Sequence, residues 1–280
     1  MKNRVKPVRV PDLKAMKRRG EKITMLAAYD ATMARLLDRA GIDVLLVGDS
    51  LGMVVMGYDT TVPVTLDMMV HHTQAVVRGV ERSLVVSDLP FLTYQVDENE
   101  TMRNAGRLIQ EGGATAVKIE GGHQVVEPTR RLRDAGIPVM GHLGLTPQSV
   151  LQFGGFRPQA RTREAGERLV EDAISLESAG VFAIVLESIP GEIAERVTAA
   201  VSVPTIGIGA GPDCDGQVLV SYDMLGLFDE FVPSFVKQYA RLADTVVDAA
   251  KSYADDVRSS SFPEPRHTLT GVRREDDHQP

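Results

Sequence analysis

Asp49, Asp88 and Glu120 stand where three successive apolar runs end: VLLV before Gly48-Asp49-Ser50, LVVS before Asp88, and TAVKI before Glu120. Carboxylates brought together repel one another unless something neutralises them. A hard divalent cation does so, and oxygen-only ligation favours Mg²⁺. The competing arrangement is a salt-bridge network in which Lys118 and His142 supply the positive charge, and spacing alone leaves both open. Lys118 and Glu120 are two residues apart, so period-2 alternation puts them on one face of a strand. If that face looks inward, both need partners, because burying unpaired charge is costly. Glu187 follows another apolar run, FAIVL. Partial desolvation there suits a carboxylate to general-base work near neutral pH. A helix-capping or ion-paired glutamate is the alternative.

The elements that must position these groups alternate. Strands are expected at Ile23 to Ala28, Asp43 to Val47, Leu84 to Ser87, Thr115 to Ile119, PVMG, Phe182 to Leu186, PTIGI and Gln217 to Val220. Helices are expected between them: ATMARLLDRAG closed by Gly41, a helix after an N-cap at Thr65, Glu98 to Glu111, one starting near Pro128, Thr162 to Ala179 before Gly180, and Glu192 to Ala200. Phe231 to Val257 is expected to be largely helical. Eight apolar strands separated by helices imply parallel crossovers. The count and the length of 280 residues favour a single-domain (β/α)8 TIM barrel of the α/β class over an open doubly wound sheet. The catalytic barrel is expected to span 1–262, N-terminal extension included, and a polar, partly disordered tail 263–280.

In a parallel barrel the C-terminal strand ends share one face, where active sites are built. Six consecutive ends carry polar groups: Tyr29-Asp30, Asp49-Ser50, Asp88, Glu120, His142 and Glu187-Ser188. Polar loop starts explain any one of these, but explain the set poorly. Other signals are weaker. GIGAG, Gly207 to Gly211, reads as a tight turn before an anion-binding nest. His71 and His72 are adjacent and diverge around a helix, so a packed or solvated pair is expected rather than a ligand pair. Cys214 has no base beside it, and Met53, Met56, Met68 and Met69 fill core or interface gaps.

Composition bounds the partners. The chain is 43% hydrophobic and 25% charged, ordinary for a globular protein. A formal charge of −7 argues against nucleic acid and anionic membranes. No apolar stretch of about 18 residues predicts a membrane span, and the basic N-terminus does not read as a secretory signal. One cysteine excludes an internal disulfide and a multi-cysteine metal site, and makes a cytoplasmic protein the default.

GDSLGMVVMGYDTTVPVTLDMMVHHTQAVVRG, SDLPF, VKIEGG, GHLGLTPQS, FGGF, VLESIP and IGIGAG occur in that order. From about Val10 to SFPEPRH the chain resembles the ketopantoate hydroxymethyltransferase family. The resemblance implies a (β/α)8 barrel that binds Mg²⁺ and assembles as a homo-oligomer, commonly a decamer of two stacked pentameric rings. It implies transfer of a hydroxymethyl unit from 5,10-methylenetetrahydrofolate to 3-methyl-2-oxobutanoate, giving 2-dehydropantoate and tetrahydrofolate on the route to pantothenate and coenzyme A. By the same resemblance Asp49 and Asp88 are metal ligands that also meet substrate, and Glu120 belongs to the metal site through water. Ser50, Lys118 and His142 contact substrate, and Glu187 accepts the proton. The chain departs from the pattern at Ser87, where a small apolar residue is expected, at Met68, where an acidic one is, and in the tail after His267.

Other chemistries fit the strand ends less well. A lyase of the phosphoenolpyruvate mutase and isocitrate lyase type usually carries a loop cysteine motif absent here. A Schiff-base aldolase using Lys118 is disfavoured by Glu120, which keeps the amine charged. A non-catalytic scaffold gains little from buried charges.

Overall fold

Alternate residues of each apolar run face opposite ways, and the protein buries both faces. The computed structural model describes residues 6–269 and 271. The strands are β1 (Ile23–Ala27), β2 (Val44–Val47), β3 (Leu84–Asp88), β4 (Ala116–Glu120), β5 (Val139–Gly144), β6 (Ala183–Glu187), β7 (Thr205–Ile208) and β8 (Gly216–Val220). They form a closed parallel barrel in sequence order, with β8 returning to β1 so that Val218 lies opposite Met25. This is a single-domain (β/α)8 TIM barrel.

One residue set points inward: Ile23 and Met25, Val44 and Leu46, Leu84 and Val86, Ala116, Met140, Ala183 and Val185, Ile206, and Val218 form the barrel's own core. The alternate set, including Leu45, Val85, Val117, Ile184 and Leu186, packs outward against the helices. These are α1 (Val10–Arg19), α2 (Ala31–Arg39), α3 (Leu51–Val54), α4 (Leu66–Gly79), α5 (Glu98–Gln110), α6 (Val126–Asp134), α7 (Val150–Phe153), α8 (Arg163–Ala179), α9 (Gly191–Ala200), α10 (Ser221–Met224) and α11 (Leu242–Arg258). Asp30 caps α2 by accepting from Thr32 N and Met33 N, and Thr65 caps α4 by accepting from Met68 N.

The N-terminal end of the barrel is closed by α1, a helix the apolar pattern did not announce. Leu13 is fully buried in the inner core. Lys17 Nζ donates to the carbonyls of Thr198, Val201 and Val203, each at 3.0 Å, and pairs with Asp215 at 2.9 Å. That end is therefore sealed by packing and charge, leaving the opposite end for chemistry.

Several strands run one to three residues beyond expectation, β5 to Gly144, and two helices start elsewhere than expected. The helix expected near Pro128 starts at Val126, after a single 3₁₀ turn at His123–Val125; proline is tolerated in a first helical turn. The helix expected over Phe231 to Val257 begins only at Leu242. The segment bonds elsewhere: Tyr239 N donates to Met224 O at 2.8 Å and Leu242 N to Leu225 O at 3.0 Å. Phe235 instead packs over Gly209 at the barrel mouth. Of the expected tail, residues 270 and 272–280 lie outside the described residues.

Candidate active site

The inward row of side chains changes character as it climbs. Above the apolar core, the same parity delivers Asp88 from β3, Lys118 and Glu120 from β4, His142 from β5 and Glu187 from β6. Cross-strand register sets Asp88 beside Lys118, Glu120 beside His142 and Gly144 beside Glu187. Asp49 and Ser50 arrive differently, because β2 ends at Val47 and the chain turns. Asp49 N donates to Asp88 Oδ2 at 3.1 Å. A Cβ on Gly48 would lie 2.9 Å from Ser50 Oγ and 3.5 Å from Asp88 Oδ2, so a larger residue here would make the Ser50 hydroxyl shift. Tyr29 Oη and Ser50 Oγ share a hydrogen bond of 2.9 Å.

A continuous chain of charge crosses the mouth. Lys118 Nζ lies 3.1 Å from Asp88 Oδ1 and 3.6 Å from Glu120 Oε1. His142 Nδ1 lies 3.3 Å from Glu120 Oε1 and 3.2 Å from Lys118 Nζ, and its Nε2 lies 3.3 Å from Glu187 Oε2. All seven expected residues line one cavity of about 330 Å³.

Burial and mutual charge set the protonation states. Burial, then the charges of Asp88 and Glu120, hold the Asp49 carboxyl well above its ordinary value, and burial raises Asp88 as well. Burial alone would lower Lys118, but Asp88, Glu120 and Asp49 outweigh it, so the ammonium is stabilised. Glu120 is lowered: burial opposes, but Lys118 and His142 prevail. His142 is pushed down by burial and by Lys118, yet Glu120 and Glu187 lift it to about 9. Without a metal, two of the carboxylates thus resist ionisation.

That imbalance is the fit test for a divalent cation. The buried oxygens Asp88 Oδ1 and Glu120 Oε1 have cationic neighbours but no hydrogen bond among the described residues. Among those residues no group of three or more His, Cys, Asp or Glu side chains is placed to hold a metal ion by itself. Mg²⁺ needs none, since it keeps several waters and takes one or two carboxylates together with substrate oxygens. The oxygen-rich donor set around Asp49, Asp88 and Glu120 therefore fits Mg²⁺.

Glu187 is the least enclosed of the row, at 16% side-chain exposure against 4% for His142. Its surroundings are rigidly built. Ser188, next in the chain, adopts a left-handed φ of 49°, a strained conformation for a non-glycine residue. Its N–H donates to Ile208 O and its carbonyl accepts from Gln159 N, both at 2.9 Å. Opposite, Gly144 has φ 92°, and a Cβ there would meet Glu187 O at 2.2 Å.

Two residues in the site had no charge to reveal them. Gln148 is 4% exposed and its Nε2 donates to Asp49 Oδ2 at 2.8 Å. Tyr94 Oη donates to Gln148 Oε1 at 2.7 Å. Gln148 lies in the quoted GHLGLTPQS motif, which was the one available signal.

The departures and weaker motifs have local explanations. Ser87 Oγ faces Thr73 Oγ1 at 2.8 Å, so the buried hydroxyl is satisfied on the helix side of β3. Met68 stands at the third helical position of α4, and its sulfur approaches Thr65 N at 3.5 Å where an acidic side chain would otherwise bond. His72 Nδ1 is 2.7 Å from Tyr29 O and its ring packs edge-on against His71. Gly209 and Gly211 take φ of 60° and 81° in a turn. Cys214 is fully buried, and burial raises its thiol.

A sequence model of the family described as ketopantoate hydroxymethyltransferase matches residues 7–265. The 3-methyl-2-oxobutanoate hydroxymethyltransferase of Moorella thermoacetica is 61% identical over 262 residues, 94% of this chain and 97% of the relative. That of Syntrophus aciditrophicus is 55% identical, covering 92% of this chain and 94% of its own. Among solved structures, a phosphonopyruvate hydrolase complexed with oxalate and Mg²⁺ superposes with a TM-score of 0.60 at 15% identity, over 94% of this chain and 92% of that one. A 2,3-dimethylmalate lyase of the PEP mutase/isocitrate lyase superfamily gives 0.57 at 16% identity, over 95% and 90%. At that identity the likeness speaks for the barrel alone.

Proposed function

This chain belongs to the ketopantoate hydroxymethyltransferase family, and from that premise we propose that it converts 3-methyl-2-oxobutanoate to 2-dehydropantoate with 5,10-methylenetetrahydrofolate as donor. The observation that carries this reading is the inward row Asp88, Lys118, Glu120, His142 and Glu187, joined by Asp49, at one barrel mouth. Asp49 and Asp88 would hold Mg²⁺, with Glu120 beside it. When bound, the ion supplies Lewis-acid stabilisation of negative charge on the substrate's 2-oxo oxygen.

The remaining work falls to side chains. Lys118 and Ser50 meet the substrate carboxylate or the oxygen on which charge develops, and His142 offers a hydrogen bond there. Glu187 takes the proton from C3, so the C–H electrons become the enolate. C3 then bonds to the methylene carbon of the folate. Both carbon–nitrogen bonds of the methylene carbon break, one as C3 attacks and the other as water supplies the hydroxyl. The proton from C3 and one from water end on the two folate nitrogens, and tetrahydrofolate leaves. His142, 3.3 Å from Glu187, holds that carboxylate toward the cavity.

A homo-oligomer, the decamer that the family resemblance implies, is part of the same proposal. It is supported by α11, none of whose residues is buried although Val246, Val247, Tyr253 and Val257 are apolar. No helix among the described residues is long and apolar enough to cross a membrane. Action on cytoplasmic metabolites in pantothenate biosynthesis follows from the proposed substrates. The direct test is turnover of 3-methyl-2-oxobutanoate with methylenetetrahydrofolate, with and without Mg²⁺. Formation of 2-dehydropantoate only with the metal supports the proposal, and its absence under both conditions refutes it.

A further inference from the structure

We infer that Gln148 is the positioning residue that holds Asp49 and Glu120 in the geometry that receives the cation, with Tyr94 fixing the direction of its amide. This rests on the metal reading above and deepens it. Gln148 alone among the described residues hydrogen-bonds the side chains of both carboxylates: Nε2 to Asp49 Oδ2 at 2.8 Å, and its backbone N to Glu120 Oε2 at 3.1 Å.

The amide can face only one way. Its two N–H donors serve Asp49 Oδ2 and Leu89 O, the latter at 3.0 Å, so Oε1 is left as the acceptor for Tyr94 Oη. Tyr94 Oη in turn accepts from Glu120 N at 3.1 Å. A phenol that accepts there has its own proton to donate, and the shorter of its contacts, 2.7 Å, is to Gln148. The pieces come from the loops after β3 and β5 and from β4, so three crossovers are tied at one point.

This arrangement has a chemical consequence. Asp49 Oδ2 is held by the amide, so Oδ1 would be the oxygen offered to a cation. Glu120 has Oε2 tied in the same way, while its Oε1 faces Lys118 and His142. A lysine in place of Gln148 would orient Asp49 equally well but neutralise it and oppose a cation. A neutral amide orients without neutralising. Outer partners of this kind commonly change metal affinity by about 10–100-fold.

The test is Mn²⁺ titration followed by electron paramagnetic resonance on wild type, Gln148→Met and Tyr94→Phe, with circular dichroism to confirm folding. Methionine keeps the length and volume of glutamine without its donors. Gln148→Met is expected to weaken Mn²⁺ by about tenfold or more, and Tyr94→Phe to weaken it several-fold in the same direction. A folded Gln148→Met that binds Mn²⁺ as wild type does overturns the inference. Should that variant not fold, Tyr94→Phe decides in the same way: unchanged affinity overturns it. Wild type that binds no Mn²⁺ overturns the metal reading itself and the inference with it.

Discussion

Lys118 Nζ lies 3.1 Å from Asp88 Oδ1, and both side chains are almost wholly enclosed, at 4% and 3% exposure. The pair sits directly above the apolar barrel core, where an uncompensated charge finds no water. Lys118→Met therefore leaves Asp49, Asp88 and Glu120 without their shared cation. Breaking a buried pair from one side costs about 3–5 kcal/mol. Urea unfolding in EDTA is expected to show a loss of that size. Mg²⁺ should restore part of it, because a ligand that binds only the folded state stabilises by mass action. Unchanged stability in EDTA would contradict the charge chain.

The same surroundings keep Lys118 protonated, since its three carboxylate neighbours outweigh burial. An ammonium is no nucleophile. Borohydride added with 3-methyl-2-oxobutanoate is expected to leave the protein mass unchanged. A covalent adduct on Lys118 would replace the proposed mechanism with Schiff-base chemistry.

Stability of the metal-free protein should fall as pH rises. His142 is lifted from 6.5 to about 9 in the fold, so its contribution is complete below about 6.5 and is lost as pH rises through about 9. Asp49 and Asp88 are raised too, which means their ionisation works against the fold in the same direction. Glu120 is lowered, so its contribution is present above its unfolded value of 4.5 and constant across this window. Urea midpoints in EDTA are expected to decline from pH 6.5 to 9, and Mg²⁺ should flatten the decline. A profile that rises with pH would contradict the assigned shifts.

Gly144→Ala should damage the site without touching a charged group. The new methyl meets Glu187 O, and φ of 92° suits glycine alone. Backbone strain of this kind costs about 1–3 kcal/mol. The variant is expected to unfold at lower urea and to lose turnover more than Mn²⁺ affinity, since Glu187 moves while Asp49 and Asp88 do not. Wild-type turnover in Gly144→Ala would show that the placement of Glu187 tolerates movement.

The charged part of the site was legible because it follows local rules. Lys118 and Glu120 are two residues apart on an apolar run, and strand alternation alone puts them on one face. Glycines such as Gly41 and Gly180 marked helix ends, and the eight apolar runs became the eight strands. Gln148 and Tyr94 were not legible, because neutral residues on loops carry no local signal. Gln148 meets Asp49 from 99 positions away, a contact only the closed barrel creates. The segment 231–241 misled for a related reason. Its apolar residues suit a helix, but Phe235 packs over Gly209 at the mouth of the barrel and Tyr239 N bonds Met224 O instead.

The central claim is that Glu187 removes the C3 proton of a 2-oxo acid held beside Asp49 and Asp88. It is tested most directly by deuterium exchange at C3 of 3-methyl-2-oxobutanoate in D₂O, without folate. Wild type with Mg²⁺ is expected to exchange that proton. EDTA should abolish the exchange, and Glu187→Gln should slow it by about 10²–10⁴-fold while still binding the oxo acid. Exchange at the wild-type rate in Glu187→Gln, or in metal-free enzyme, would contradict the account.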